Sequence, residues 1–172
     1  MSLPATLKSQ YYASLAMLSG AIDACPAELW TSDRYVNPFW QVAYHTLFYT
    51  HLYLQPAEAD FVPWKHHREA HNRFATGPDE GLILIPYSVA EIQSYCHYCQ
   101  GMVDAAVDRL DLTAPESGFY WYRMSKLEHQ FVNLRHIQHH TGQLADRLRQ
   151  EADKGVEWIG GGSPTVGARE TR

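Results

Sequence analysis

The chain contains no run of eighteen or so apolar residues, so no membrane span is expected. It has no excess of cations either: 14 Lys and Arg stand against 19 Asp and Glu, a formal net charge of −5. Without a general basic field a nucleic-acid backbone has little to hold it, and nucleic-acid partners are not expected. Cysteine is scarce and odd in number, at three. That argues against a disulfide framework and suits a reducing cytoplasm. The first eight residues lack a basic segment followed by an apolar stretch and a cleavage site, so secretion has no support. Nucleophile elbows, phosphate-binding glycine loops and EF-hand patterns are missing too, which disfavours the enzyme classes that rest on them.

What is present is an ordinary apolar fraction of 45% spread over 172 residues, enough for one well-buried core. The compositional oddities are ten histidines and eleven tyrosines. Leu7, Tyr11, Leu15, Leu18 and Ile22 repeat by four and three, predicting a first helix that ends before Pro26. Asn37 as N-cap and Pro38 at the first helical position open a second helix that stops near Gln55 and Pro56. Ser88 with Glu91 forms a capping-box pattern, starting a third helix whose stripe is Ile92, Cys96, Cys99, Val103, Ala106 and Leu110. After a polar connection and the aromatic stretch Phe119-Tyr120-Trp121-Tyr122, a fourth helix runs to about Glu151 on Leu134, Ile137, Thr141, Leu144 and Leu148.

Residues 56–86 have no sustained period and read as a crossover or insertion, with a short helix expected over 64–74 and an extended piece at Leu82-Ile83-Leu84-Ile85. Residues 152–172 have the glycine-rich composition of a mobile tail, with Trp158 available to tack part of it down. The expectation is all-α: a four-helix bundle over 1–151 with a long connection between its second and third helices.

Within that frame His136 and His140 lie one turn apart on a flank of the fourth helix, close enough for both rings to bind one ion. Two imidazoles do not complete a transition-metal site. His45 shares the inward face of the second helix with Val42, Phe48, Tyr49 and Leu52, and is the candidate third ligand. Three neutral histidines and an open position form a catalytic-type site, for zinc first and for nickel, iron or another divalent ion on the same nitrogens. Such an ion acidifies water or binds a thiolate, supporting hydrolysis or group transfer. Gln41, Asn133 and Gln143 stand one turn from His45, His136 and His140 as acceptors for their outer N–H groups. Tyr49, His71 and Tyr122 are candidates for handling protons.

Blander readings stand beside these. A histidine pair four apart arises by chance in so histidine-rich a chain, and a lone inward His45 is often a hydrogen-bonded core residue. His67 and His71 repeat the spacing among charges, in the segment from His66 to His71; a solvated linker competes there with a rim for substrate. Cys96 and Cys99 suggest zinc or redox chemistry, but their place on an apolar stripe favours buried core thiols. His51 and His139 read as partly exposed neighbours, and Tyr120 to Tyr122 as packing at the bundle end or the lining of a pocket.

The motif Trp40-Gln41-Val42-Ala43-Tyr44-His45, together with Arg135-His136-Ile137-Gln138-His139-His140-Thr141-Gly142-Gln143-Leu144 and the helix start Pro86-Tyr87-Ser88-Val89-Ala90-Glu91-Ile92, resembles the DinB-like (DinB/YfiT) superfamily over about residues 5–151. The resemblance implies a four-helix bundle, a divalent ion on His45, His136 and His140, and frequent homodimers. Related families include metal-dependent transferases of low-molecular-weight thiols such as bacillithiol and mycothiol, and a thiol-dependent isomerase. The long histidine-rich connection departs from the thiol transferases. Two functions are therefore carried forward: a metal-dependent enzyme activating a thiol cosubstrate or water against a small electrophile, and a non-catalytic, metal-binding, stress-associated homodimer.

Overall fold

The computed structural model describes residues 2–75 and 84–164. Among them regular structure is entirely helical: α1 Leu3–Ala24, α2 Ala27–Trp30, α3 Phe39–Tyr53, α4 Val89–Arg109 and α5 Lys126–Ala152, with one 3-10 turn, Glu58–Asp60. α1 packs on α4 and α5, and α3 packs on the same two, so four long helices share one core. The stripe Leu7, Tyr11, Leu15, Leu18 and Ile22 is almost wholly buried, as are Ile92, Cys96, Cys99, Val103 and Ala106 on α4. Each buried Leu or Ile contributes about 1.5–3 kcal/mol, so these stripes hold the helices together. No helix among the described residues is long and apolar enough to cross a membrane.

The helix ends follow local chemistry. Ser88 and Glu91 close a reciprocal capping box, the Glu91 carboxylate accepting from the Ser88 backbone N–H at 2.7 Å and Ser88 Oγ from the Glu91 N–H at 3.2 Å. Ser125 caps α5 by accepting from the Glu128 N–H. The expected Asn37 cap does not form. Pro38 occupies the extended N-cap position of α3, and the Asn37 amide instead pairs both ways with the Ala75 backbone, donating to its carbonyl at 3.2 Å and accepting from its N–H at 2.9 Å.

Four further expectations change. Residues 64–74 form turns instead of a short helix. Ala70 is left-handed there, at φ 66°, which interrupts an α-helical path, while Trp64 stacks on Tyr95 with centroids 4.5 Å apart. His71 is not in a solvated linker: it is buried against Trp40, Tyr44 and Tyr87, and His67 stacks on Tyr44. Trp158 tacks nothing down, being 77% exposed; the Gly162 N–H bonds the Ser9 carbonyl at 3.1 Å, at a place where a Cβ would meet Tyr12 at 2.7 Å. Of the expected extended piece, Leu84 and Ile85 are irregular, and Leu82 and Ile83 lie outside the described residues.

Candidate metal centre

α3 presents His45 toward α5, which carries His136 and His140 one turn apart. The structure brings all three together, one nitrogen of each lying within 4.8 Å of the others. Ring centroids are 5.2 Å apart for His45 and His136, 4.9 Å for His45 and His140, and 4.5 Å for His136 and His140.

The hydrogen bonds decide which nitrogens are free. His45 Nδ1 faces the Asn72 carbonyl oxygen at 2.8 Å, and His140 Nδ1 faces Gln143 Oε1 at 2.8 Å. A carbonyl oxygen only accepts, so both Nδ1 atoms carry the proton and both Nε2 atoms present lone pairs. His136 Nε2 lies 3.2 Å from His45 Nε2. Zinc–nitrogen bonds of about 2.0–2.1 Å in tetrahedral geometry place two ligand nitrogens roughly 3.3 Å apart. That pair has the spacing of a small divalent ion's ligands, and a His140 nitrogen lies within 4.8 Å of both.

Burial keeps these rings neutral. It pushes His45 down to about 4, reinforced by His140 and opposed by the Asn72 carbonyl. It pushes His136 down to about 3, with His140, His45 and His139 adding to the effect. His140 is lowered by burial, against the pull of Gln143. The neutral imidazole is the ligating form, so protons do not compete for the site near neutral pH.

The supporting shell matches expectation at only one ring, where Gln143 holds His140. Gln41 donates at 2.8 Å to the Arg73 carbonyl, steadying the strand of connection whose Asn72 carbonyl holds His45. Asn133 donates to the Thr50 carbonyl at 3.3 Å and leaves its oxygen, like His136 Nδ1, buried without a partner. Phe74, from the same connection, stacks flat on His45 at 3.8 Å and edges onto His140 at 5.4 Å. Residues 71–75 are thus part of the site. Sequence periodicity carried no sign of this, because the key group is a backbone carbonyl.

His45 and His136 border a cavity of about 720 Å³. Its walls include Phe48, Tyr49, Tyr53, Phe61, Trp121 and Tyr122, with Glu58 and Asn72 also lining it. The size is ordinary for a small-molecule pocket. Of the proton-handling candidates Tyr49 and Tyr122 are here, and His71 is not: its ring nitrogens face the Glu69 and Ile85 carbonyls, each at 3.0 Å. Trp121 and Tyr122 serve the pocket, Phe119 the core, and Tyr120 is exposed.

The remaining candidates are structural. Cys96 and Cys99 are fully buried, their thiols turned to the Leu15 and Leu47 carbonyls, and burial pushes Cys96 up to about 12. His139 is exposed as expected, whereas His51 is buried, with Nδ1 3.1 Å from the Tyr95 hydroxyl. Sequence reading passed over His129, which continues the α5 row of His136 and Asn133 toward its N-terminus. His129 is fully buried among Tyr53, Phe119 and Tyr122, and neither ring nitrogen has a partner. Comparison with known proteins finds no family model, no curated protein and no solved structure that this chain matches.

Proposed function

We propose that the chain is a four-helix bundle of the DinB-like kind in which His45, His136 and His140 hold a divalent ion, zinc or nickel. Its reaction is the transfer of a low-molecular-weight thiol, or of water, to a small electrophile. The observation that carries this reading is the convergence of three neutral imidazoles, two of which, His45 and His136, border a 720 Å³ cavity. A bound divalent ion supplies Lewis acidity at neutral pH. The protein's share is to fix His45 and His140 in the ligating tautomer through Asn72 and Gln143, and to shield one side of the cluster with Phe74. Tyr49, its ring 4.7 Å from that of His45, is the side chain best placed to hold a proton there.

A structural ion normally has a closed shell, whereas the cluster found among the described residues has three protein ligands and a cavity against two of them. That supports catalysis over the non-catalytic, stress-associated reading. The family resemblance and cysteine usage further suggest a cytoplasmic homodimer. The test is elemental analysis of the purified protein, paired with a screen of thiols against electrophiles with hydrolysis as control. One ion per chain is expected, lost in His45→Ala. A metal-free protein, or a His45→Ala variant that keeps its ion, sinks the proposal.

A further inference from the structure

The cavity beside the three histidines is unusual in what its walls omit. Six of the described residues that line it are aromatic, and none is Lys or Arg. The rings are set across one another, Phe48 against Phe61 at 5.2 Å and 76°, Tyr53 against Tyr122 at 5.6 Å and 80°. Among the described residues the one lining carboxylate is Glu58, on the exposed 3-10 turn.

Lys126 and Arg68 are committed elsewhere, and Arg73 and Arg123, next in sequence to the lining Asn72 and Tyr122, are exposed and are not among the described walls. The Lys126 ammonium is buried, donating to the Pro56 and Ser117 carbonyls. Arg68 lies over the Tyr87 ring and pairs with Glu91 at 2.7 Å. An anionic group entering the aromatic part of the cavity would give up hydration and meet no cationic side chain among the described walls. A flat apolar body fits these walls, and a cationic end gains from ring faces and from Glu58.

We infer that the cavity takes a substrate with an aromatic or similarly flat apolar body, neutral or cationic away from its reacting atom, with Glu58 facing the cationic end. The inference rests on the proposed function only in making this molecule the substrate. It separates the site from one built for thiols that carry several carboxylates, since an ion on His45, His136 and His140 can meet a single donor atom but not a distant carboxylate.

The test uses three ligands sharing a 3-phenylpropyl body: 3-phenylpropanol, 3-phenylpropyltrimethylammonium and 3-phenylpropane-1-sulfonate. Their affinities are measured by calorimetry with zinc-loaded and zinc-free protein. The alcohol and the ammonium are expected to bind at least tenfold tighter than the sulfonate in both forms, because the walls set the order. Trp121→Ala should weaken the alcohol about tenfold, placing it in this cavity. Glu58→Gln should weaken the ammonium about threefold and leave the alcohol unchanged. A sulfonate that binds as tightly as the alcohol, or an ammonium indifferent to Glu58→Gln, overturns the inference. Elemental analysis of the same samples keeps the two claims apart: absent zinc with the selectivity intact defeats only the metal reading, and bound zinc with the sulfonate preferred defeats only this one.

Discussion

His129→Phe should make the protein more stable, and more so as the pH falls. The His129 ring is fully buried, both nitrogens lack partners, and Tyr53, Phe119 and Tyr122 surround it at centroid distances of 4.8, 4.7 and 5.2 Å. A buried polar group without a hydrogen bond costs about 1–3 kcal/mol, so an apolar ring, after the cost of its slightly larger size, should stabilise by about 1 kcal/mol even near pH 8. Protons add a second contribution. Burial, with Lys126 beside it, pushes His129 down to about 4 from its ordinary 6.5. Below 6.5 the unfolded chain takes up a proton that the folded chain refuses, so this residue costs stability progressively as pH falls toward 4. Near pH 5.5 the linkage amounts to roughly 1 kcal/mol, and near pH 8 to almost nothing. The variant should therefore gain about 1 kcal/mol over the native chain near pH 8 and roughly 2 kcal/mol near pH 5.5. Urea unfolding followed by far-UV circular dichroism, in chelator so that metal does not enter, measures both. A gain that stays the same at the two pH values would refute the reasoning, because it would mean that the buried ring accepts its proton as readily as the unfolded one.

Other perturbations probe the parts that build the cavity. Gln143→Leu removes the acceptor of the His140 Nδ1–H and should weaken zinc binding about 10- to 100-fold in a competition titration, leaving the helical content unchanged. An unchanged affinity would mean that Gln143 does not orient the ring. Gly118→Ala places a Cβ 2.3 Å from the Pro56 carbonyl at a φ of 85°, and should cost about 2–4 kcal/mol in denaturant unfolding. A cost below about 0.5 kcal/mol would show that the close approach is relieved without strain. Ala70→Gly acts in the opposite sense. Ala70 holds φ 66°, so glycine relieves about 1–2 kcal/mol of strain and returns about 0.4–1 kcal/mol of chain entropy to the unfolded state. A net gain between about 0 and 1.6 kcal/mol is expected, and a clear loss of stability would show that the left-handed turn is not strained.

How much of this was legible in the sequence depends on the range of the interaction that carries it. Four-and-three spacing reports which side of a helix is apolar, and Leu7 to Ile22, Ile92 to Ala106 and Ile137 to Leu148 are buried where that spacing puts them. The same logic placed His45 on an inward face and His136 and His140 together, and the three imidazoles do meet. Periodicity is silent on segments without a period. Residues 71–75 are held by Asn37, Gln41 and His45 through backbone groups, and a backbone carbonyl leaves no mark in the sequence. The Asn37 cap failed for a related reason: a cap is a local option, and the two-way pairing with Ala75, 38 residues away, uses both ends of the same amide. The His129 ring was passed over because spacing says that a residue faces inward but not whether its polar atoms find partners. Together these cases locate the chemistry. The helices present the three histidines, while the stretch between α3 and α4 fixes the His45 tautomer and covers its ring with Phe74. It follows that changes in that connection should alter metal affinity and ligand choice before they alter the fold.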